Sequence, residues 1–427
     1  MSRGTTSSIT IRCTETAKKV HEHKSSFGRA VLKEEKITLA LLWSRYDGKV
    51  TSVNDLVLRL DKRRFNVLFV FLKGDAGEKN SLTEAGYKVL YLSNAKRTNA
   101  FRFSLVFRLA NILKEHKIDV LHCHAHKATV YGAMAAALAR TPVVLAHVHG
   151  LGRSRNLRRK LANLLLFWRI NRIICVANSV KEDVLRSNWR LPAGKAAVLE
   201  NSVDYERFAD VSISKADAKQ MLGLQADAFV FGTVGRLAPT KGLSYLMEAF
   251  GKVKKQKPSA HLVLLGDGPC RAELEQQASN ISCRDSVHFL GYRSNIEQLI
   301  RGMDVFVLSS VAEGMPRAIL EVMAAGIPCI ATAVGGIPEI INSRDVGLLA
   351  PPRDSGALAQ AMIELAGASE EQRQKCAEEA RDRINRFYSH EVVRKKLEHI
   401  YENEFEVWRN NDARGHSDKS KRDHSDL

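Results

Sequence analysis

The stretch DVFVLSSVAEGMPRAILEVMAAGIPCIATA, residues 304–333, contains the pattern that decides the fold. Its first part (305–310) is a short apolar, β-rich run that is typical of a buried strand. Pro316 then suits the first position of a helix, and Gly326 suits the C-cap at which that helix ends. A second apolar run (328–333) follows and again predicts a buried strand. The stretch therefore predicts a strand, a helix and a second strand of one parallel sheet.

Two carboxylates lie within this unit, Glu313 ahead of the helix and Glu321 inside it. At a rise of about 1.5 Å per residue, their carboxylates would lie on the order of 10 Å apart. That separation is too wide for two groups that share one proton. It suits a ligand with polar groups at both ends and an anionic group near the helix N-terminus.

The same alternation of short apolar strands and helical patterns runs through most of the chain. It predicts an α/β protein with two doubly wound domains that face a cleft and are joined near the polar segment 202–220. A typical helical pattern between strands is SLVFRLANILKEH (104–116). The predicted strands are 37–43, 65–72, 87–92, 118–123, 143–148, 172–177, 229–235, 261–266, 286–291, 304–310 and 328–333.

The composition limits the class of protein. A chain of 427 residues with 45% hydrophobic residues is long enough for two domains, each with its own core. No run approaches the roughly 18–20 apolar residues of a membrane span, and the first thirty residues show no apolar segment typical of a signal peptide. The seven cysteines are scattered without a C-x-x-C pair, which favours reduced thiols and a cytoplasmic location.

The charge is strongly basic, with 65 Lys and Arg against 47 Asp and Glu and a net charge of +18. Such a balance indicates an anionic partner, which could be nucleic acid, a phosphorylated substrate or an acidic membrane surface. The segment 154–168 predicts a helix on which leucines and Trp168 alternate with Arg155, Arg158, Arg159 and Lys160. This helix could lie weakly on an anionic membrane surface. Alternatively, it is an ordinary surface helix with its leucine stripe in the core.

Polar residues and glycines follow several of the predicted strands. His149, Arg236, the GDGP segment (266–269) and Glu313 each come directly after a strand. Ligands of open α/β sheets bind beyond the carboxyl ends of the strands, so these positions predict a binding cleft between the domains.

Three other kinds of site are weaker candidates. GDGP lacks the third glycine of a dinucleotide-binding fingerprint, and PTKGL (239–243) lacks the G-K-[ST] step of a P-loop. His122, His124 and His126 alternate and could lie on one side of an extended strand. A metal cluster there is conceivable, but no carboxylate or cysteine partner is evident. We therefore predict no metal site.

Four motifs together match a known family. They are the E-x7-E spacing from Glu313 to Glu321, the Arg- and Lys-containing segment GRLAPTKGLSYLMEAF (235–250), the pair LVLLGDGP and VHFLGY, and HVHG (147–150). On these motifs the chain resembles the retaining, nucleotide-sugar-dependent glycosyltransferases of family 4, also called glycosyl transferases group 1. The resemblance implies the GT-B fold, in which two Rossmann-like domains face a cleft.

The resemblance also implies roles for individual residues. Glu313 would bind sugar hydroxyls beside the reacting carbon, and Glu321 would accept hydrogen bonds from the ribose. Arg236 and Lys241 would face the donor diphosphate, and His149 would be the catalytic histidine of the first domain. The donor would be a UDP- or GDP-sugar, and neither a metal nor another cofactor would be required. Further implied substrate-binding residues are Gly48, Gly268, Tyr292, Arg293, Gly314, Met315, Pro316 and Leu320.

The predicted organisation follows from this resemblance. Residues 1–36 form a poorly structured extension, 37–205 the acceptor-side domain and 206–388 the nucleotide-sugar domain. Residues 389–409 form a helix that crosses back to the first domain, and 410–427 form a disordered tail.

One departure concerns the acceptor side, because Gly48 stands alone where the family often has a Gly-Gly loop. We expect a glycan or lipid-linked acceptor, used in cell-surface polysaccharide or lipopolysaccharide synthesis at the cytosolic face of the inner membrane. The alternatives are a noncatalytic GT-B-fold binding protein and a basic nucleic-acid-binding protein. The presence of Arg236, Lys241, Glu313 and Glu321 argues against a noncatalytic protein. The lack of a nucleic-acid-reading motif argues against a nucleic-acid-binding protein.

Overall fold

The protein is described here by a computed structural model of residues 36–46, 52–74, 80–94, 101–152, 156–281 and 283–423. Within these ranges the chain alternates between strands and helices and forms two parallel sheets. The predicted α/β class with two doubly wound domains is therefore confirmed. The predicted extension before Lys36 and the predicted binding residue Gly48 lie outside the described residues.

The first sheet contains seven strands in the order β3-β2-β1-β4-β5-β6-β7 within the described part of the chain. Residues 39–42 of β1 are completely buried. Helices cover both faces, so the central strands read as continuous apolar runs rather than as alternating patterns. Its elements are β1 (Ile37–Trp43), α1 (Ser52–Leu58), β2 (Phe65–Phe71), α2 (Ser81–Glu84), β3 (Lys88–Tyr91), α3 (Phe103–Glu115), β4 (Val120–His124), α4 (Ala125–Ala139), β5 (Val143–Val148), α5 (Leu157–Leu166), β6 (Arg172–Cys175), α6 (Asn178–Ser187) and β7 (Ala196–Val198).

The second sheet contains six strands in the order β10-β9-β8-β11-β12-β13 among the described residues. Its first strand, β8, lies between β9 and β11, which is the arrangement of a doubly wound sheet. The elements after β7 are α7 (Tyr205–Ala209), α8 (Lys215–Met221), β8 (Phe229–Val234), α9 (Leu243–Gln256), β9 (Ala260–Leu265), α10 (Arg271–Asn280), β10 (Val287–Gly291), α11 (Ile296–Leu299), β11 (Val305–Leu308), α12 (Arg317–Ala324), β12 (Cys329–Thr332), α13 (Ile337–Ile340), β13 (Leu348–Ala350), α14 (Ser355–Gly367), α15 (Glu370–Tyr388) and α16 (His390–Asp423).

All eleven predicted strands are present, with ends that differ by at most two residues. The predictions missed β7 and β13, the outermost strands of the two sheets. Each of them has only three residues, which are too few to show a hydrophobic period.

The last helix leaves the second sheet and packs against the first. At the crossing point Val203 bridges Ser389, and α16 then contacts α1 and β5. Val393, Leu397 and Tyr401 are completely buried on this face of the helix. The second half of the chain thereby supports the strands that carry the histidines of the first domain.

The helix α16 continues to Asp423, whereas the sequence predicts disorder from residue 410. The segment contains no proline, and extending an existing helix costs far less than starting one. A polar sequence can therefore remain helical. No helix in the described part of the chain combines the length and hydropathy required to span a membrane.

Candidate active site

Lys241 and Glu313, which are 72 residues apart in sequence, form an ion pair at the carboxyl end of the second sheet. The Lys241 Nζ atom donates to Glu313 Oε1 at 2.6 Å, and Ser310 Oγ donates to the same oxygen at 2.7 Å. Both charged side chains are largely removed from solvent. The lysine and serine therefore hold the carboxylate in one orientation while keeping a positive charge beside it.

The pairing of neighbouring strands explains this geometry. Because β8 and β11 lie side by side, the loops that follow them meet at the same edge of the sheet. The Val311 amide donates to the Thr240 carbonyl at 2.9 Å, and Ser309 Oγ donates to the Lys241 carbonyl at 3.0 Å. These bonds fix the two loops against each other.

Arg236 is exposed just beyond β8 and lines the same small recess as Lys241. The loop after β9 closes one side of this region, because the Leu237 amide donates to the Asp267 carbonyl at 3.0 Å. At Gly268 any side chain would collide with the Leu237 carbonyl. The predicted binding residue Gly268 thus has a clear structural role, which is close contact between the two loops.

Tyr292 and Arg293 lie farther along the same edge of the sheet. Both are exposed after β10, and Arg293 Nη1 donates to the Tyr292 carbonyl at 3.4 Å. Their strand, β10, lies two strands from β8, which precedes Lys241, and three strands from β11, which precedes Glu313. They border the site from its outer side.

The helix that follows Glu313 begins one residue later than the sequence predicts. Pro316 is its N-cap, with an extended ψ of 128°, and Arg317 is the first helical residue. Gly326 lies just beyond the C-cap in the left-handed region, at φ +71°, as its position in the sequence predicts. Met315, Pro316 and Leu320 are buried, so their side chains pack beneath the site in this conformation.

Glu321 lies one turn into α12 and is mostly buried. Burial raises the pKa of its carboxyl group, and the Arg317 guanidinium opposes that shift. Arg317 Nη2 lies 3.7 Å from Glu321 Oε1 and 3.6 Å from Asp55 Oδ2 of α1. The arginine thus links the glutamate of the second domain to the first domain.

His149 follows β5 in the first domain. Gly314 packs so closely against it that a side chain at Gly314 would collide with the His149 carbonyl. Asn201 Nδ2 also donates to the Met315 carbonyl, at 2.6 Å. The loop that carries Glu313 therefore contacts the first domain directly beside the predicted catalytic histidine.

A second interdomain contact was not predicted from the sequence. The carboxylate of Glu339, in α13, accepts bonds from the Asn178 amide, Asn178 Nδ2 and the Ser179 amide at 2.9–3.1 Å. These two backbone amides lie in the first turn of α6, where an N–H group has no acceptor within its own helix. A negative charge at this end of a helix is stabilising. Glu339 therefore caps a helix of the other domain and ties the two domains together.

Four histidines form a stack behind the site. His124 Nδ1 lies 3.2 Å from His149 Nε2, and His147 Nδ1 lies 3.2 Å from His122 Nε2. The ring centroids of His147 and His149 are 4.3 Å apart. At the far end Tyr401 of α16 exchanges a 2.8 Å hydrogen bond with His122 Nδ1. The stack thus connects the C-terminal helix to the cleft.

Burial keeps the inner histidines neutral. It lowers the pKa of His122 to about 3 and lowers the pKa values of His124 and His147 well below 6.5. The charges of neighbouring histidines act in the same direction. Trp43 stacks on His124 with ring centroids 4.0 Å apart and holds that ring in place.

The predicted trio of His122, His124 and His126 is not the set that the fold brings together. The strand β4 extends to His124, and His126 turns away into α4, where it bonds Asn163 Oδ1 at 3.1 Å. His147 joins His122 and His124 instead, because His124 and His147 pair across β4 and β5. The matching H-x-H patterns on two adjacent strands were the signal that could have revealed this.

The candidate ligand nitrogens of this set lie within 4.8 Å of one another. They are also partners in the hydrogen bonds of the stack. Two of them already share the His122–His147 hydrogen bond. The arrangement suits neutral, stacked rings that position His149.

Comparison with known proteins shows which family the chain resembles. Residues 214–383 match the family described as "Glycosyl transferases group 1", and residues 46–207 match "Glycosyltransferase Family 4". An Escherichia coli protein, "UDP-Gal:alpha-D-GlcNAc-diphosphoundecaprenol alpha-1,3-galactosyltransferase", is 34% identical over 60% of this chain and 68% of its own. The putative glycosyltransferase EpsF of Bacillus subtilis is 28% identical over 66% of this chain and 75% of its own.

Solved structures show the same fold. Anabaena HepE in complex with UDP superposes with a TM-score of 0.74 at 23% identity, over 86% of this chain and all of that chain. Sucrose-phosphate synthase from Thermosynechococcus elongatus superposes with a TM-score of 0.72 at 21% identity, over 87% and 100%. The two matched segments, the E. coli relative and the paired α/β domains lead to one conclusion: the chain belongs to the group 1 glycosyltransferases of family 4 and has the GT-B fold.

Proposed function

We propose that this enzyme transfers a sugar from a UDP- or GDP-sugar to a glycan or lipid-linked acceptor, with retention at the anomeric carbon and without a metal ion. The observation that carries the proposal is the Lys241–Glu313 pair, which lies beside the loop that contacts His149. On this proposal a cation, a carboxylate and the His149 side chain would all face the donor in one region of the cleft. Retention is what the E-x7-E spacing implies in family 4.

The donor would extend along the carboxyl edge of the second sheet. Glu313 would bind the hydroxyls of the transferred sugar, and Glu321 would bind the ribose at the other end. Between them Arg236 and Lys241 would face the diphosphate, together with the backbone amides of Gly314 and Met315 that precede α12. The raised pKa of buried Glu321 fits a group that satisfies its hydrogen bonds with a ligand rather than with water.

The two cations would act mainly in the transition state. When the bond from the anomeric carbon to the diphosphate breaks, the leaving oxygen gains negative charge. A fixed cation near that oxygen stabilises the transition state more than the bound donor and so raises the rate. Two such cations supply the charge that a divalent metal would otherwise provide, which supports a metal-independent reaction.

Relatives favour a uridine donor and a glycan product. The name of the E. coli relative includes UDP-Gal, and the HepE structure contains UDP. Another relative, 29% identical over 48% of this chain, is described as a "Putative colanic acid biosynthesis glycosyltransferase". We therefore place this enzyme in the synthesis of a cell-surface polysaccharide or lipopolysaccharide.

The surface of α5 supports a weak contact with an anionic membrane at the cytosolic face. The sequence left open that the leucine stripe of α5 packs in the core. In the structure the stripe lies at the surface instead. Leu165 is 71% exposed and Trp168, just after the helix, is 73% exposed. The neighbouring Arg158 and Lys160 add positive charge to the same helix. An exposed apolar stripe beside cations is typical of helices that lie in a membrane interface.

The test is a donor screen by thermal shift and turnover. The wild-type protein should be melted with UDP-glucose, UDP-galactose, UDP-N-acetylglucosamine and GDP-mannose, and a bound donor should raise the melting temperature by a few degrees. Hydrolysis or transfer of that donor should persist in excess EDTA. No shift with any nucleotide sugar would favour a noncatalytic protein, and complete, reversible loss of turnover in EDTA would refute the metal-independent reaction.

A further inference from the structure

A cavity of about 310 Å³ lies at the amino end of the second sheet, on the edge opposite to the candidate active site. Asp304, just before β11, and Pro328, just before β12, contribute to its wall. One face of α15 forms another part of the wall. The volume falls within the roughly 300–1,000 Å³ that is typical of ligand sites. We call this space the α15 cavity.

Three half-buried arginines, Arg301, Arg373 and Arg381, line the α15 cavity. Arg301 Nη1 and Arg381 Nη2 donate to the same Ala325 carbonyl, at 2.6 Å and 3.3 Å. Their guanidinium groups are therefore neighbours. Burial and then the charge of Arg381 lower the pKa of Arg301, and Asp210 opposes this shift more weakly. Like charges held side by side cost free energy unless a negative group binds beside them.

The acidic residues of the wall do not compensate these arginines. Asp304 already pairs with Lys215 Nζ at 2.6 Å and with Lys219 Nζ at 3.1 Å. Glu370 and Glu378 occupy exposed positions of α15. Within the part of the chain that the structure describes, neither glutamate forms an ion pair with an arginine of the cavity.

The arginines also keep N–H groups for a ligand. Arg373 bonds the Leu365 and Ala368 carbonyls through Nη1 alone, and Arg381 bonds Ala325 through Nη2 alone. Among the described residues, Arg373 Nη2 and Arg381 Nη1 have no acceptor. A guanidinium presents its N–H groups as a planar fork that matches the oxygens of a phosphate.

The α15 cavity lies where three elements that connect the domains meet. Arg301 Nη2 donates to the carbonyls of Phe208 and Ala209 at 2.9 Å and 2.6 Å, at the end of α7. Ala325 is the C-cap of α12, the helix that contains Glu321. The helix α15 leads directly into α16, which crosses back to the first domain. An anion bound by these arginines would therefore hold α7, α12 and α15 together.

We propose that the α15 cavity binds a phosphate group, either inorganic phosphate or a small phosphate monoester, and that this ligand stabilises the junction of α7, α12 and α15. Arg373 and Arg381 would contact the phosphate oxygens, and Arg301 would add charge beside them. The site is separate from the donor site, because Arg236 and Lys241 lie at the opposite edge of the sheet. The inference therefore does not depend on the proposed function.

The experiment titrates full-length protein with inorganic phosphate or glycerol 3-phosphate by calorimetry, in saturating UDP so that the donor cations are occupied. Glycerol is the uncharged probe and should not bind. At least one of the two phosphates should bind with a Kd at or below about 1 mM and raise the melting temperature by a few degrees at excess ligand. The tighter of the two phosphates identifies the source of the phosphate group.

Variants locate the binding. Arg373→Gln and Arg381→Gln should each weaken phosphate binding by about tenfold or more, the loss expected for one charged contact. Lys375→Gln, at an exposed position of the same helix, removes the same charge and is the matched control. It should bind phosphate as the wild type does. UDP binding by each variant reports an intact fold, and Arg373→Gln alone decides the test if Arg381→Gln does not fold.

Three outcomes would overturn the proposal: binding of neither phosphate, equal binding by the wild type and both arginine variants, or an equal loss in Lys375→Gln. The last would mean that phosphate responds only to the overall charge of the protein. A wild type that fails to bind UDP would refute the proposed function instead. Comparison of phosphate binding by the wild type and the variants would still test the α15 cavity.

Discussion

At the scale of single residues, the site depends on charges that compensate one another. Lys241 neutralises Glu313 at 2.6 Å, and Arg317 lies between Glu321 and Asp55. Without these partners, each buried carboxylate would lose solvation without compensation. The same cations remain available to a ligand, because Lys241 and Arg317 keep part of their surface exposed toward solvent.

The first prediction concerns the donor cations. Arg236→Ala and Lys241→Ala should each lower turnover by about 10²-fold or more, because one fixed charge near the leaving group is removed. The melting temperature should change little for exposed Arg236. Lys255→Ala, at an exposed position of α9, is the matched control and should keep full turnover. Near-normal turnover in both site variants would eliminate the proposed diphosphate site.

The second prediction separates the two carboxylates. Glu321→Ala should mainly raise KM for the donor, because ribose contacts are the same in the ground and transition states. Glu313→Ala should mainly lower kcat, because its contacts lie next to the reacting carbon. Steady-state kinetics with the donor found in the thermal-shift screen measures both. An unchanged donor affinity in Glu321→Ala would contradict the ribose assignment.

At the scale of secondary structure, α5 is a helix whose apolar side has little cover. It begins at Leu157 behind the Asn156 cap, whose side chain accepts from the Arg158 amide, and its buried residue is the polar Asn163. Asn163 Nδ2 donates to Asn188 Oδ1 at 2.7 Å and ties the helix to the end of α6. Polar contacts thus hold the helix on the domain, while its leucines remain at the surface.

The third prediction follows from the exposed leucines of α5. A Leu165→Ala, Trp168→Ala double variant should bind vesicles of phosphatidylglycerol more weakly than the wild type, because burying this apolar surface favours insertion. The melting temperature should stay within about 1 °C, since the two side chains are already exposed. Vesicle flotation at several salt concentrations measures the binding, which should fall as ionic strength rises.

Met221→Ala, which removes an exposed apolar side chain from α8, is the control for the vesicle experiment. It should bind vesicles as the wild type does. If the wild type ignores anionic vesicles at low salt, the membrane contact is refuted. If the double variant instead loses much of its melting temperature, the stripe packs against the protein after all.

At the scale of the whole molecule, the two domains are connected through the site itself. Glu339 caps α6, Asn201 bonds the Met315 carbonyl, and Gly314 packs on the His149 carbonyl. The helix α16 adds a fourth connection, because it comes from the second domain and bonds His122 through Tyr401. The position of His149 therefore depends on contacts from both halves of the chain.

The fourth prediction concerns stability against pH. The unfolded chain binds protons at His122, His124 and His147 below about pH 6.5, but the folded protein excludes them until much lower pH. Stability is therefore complete above about pH 6.5 and falls as the pH decreases toward 3. Three such groups give a slope of up to about 4 kcal/mol per pH unit. Melting temperatures between pH 7.5 and 5 measure this slope.

A variant isolates the contribution of the histidine stack. His147→Leu removes one of the three buried histidines. The change in stability per pH unit that these histidines produce should therefore fall by about one third, whatever the melting temperature of the variant at pH 7.5. A slope that stays unchanged in His147→Leu would mean that the buried histidines do not exclude protons. The same comparison can be made with His124→Leu.

The sequence by itself determined the two parallel sheets and the positions of eleven of their strands, and it predicted the donor-side charges. These properties depend on local hydrophobic periodicity and on which residues follow a strand, and both can be read within a short window. For this reason the sequence predicts that His149, Arg236 and Glu313 line one cleft, whereas the role of Lys241 is implied by the family resemblance.

Only the tertiary structure decided which side chains meet and which are covered. The Lys241–Glu313 bond, the joining of His147 to His122 and the capping of α6 by Glu339 connect positions far apart in sequence. The exposure of the α5 leucines follows from what neighbouring elements leave uncovered, although their spacing is that of a core helix. Side-chain orientation and cover are set by packing between distant segments, and a local pattern does not determine them.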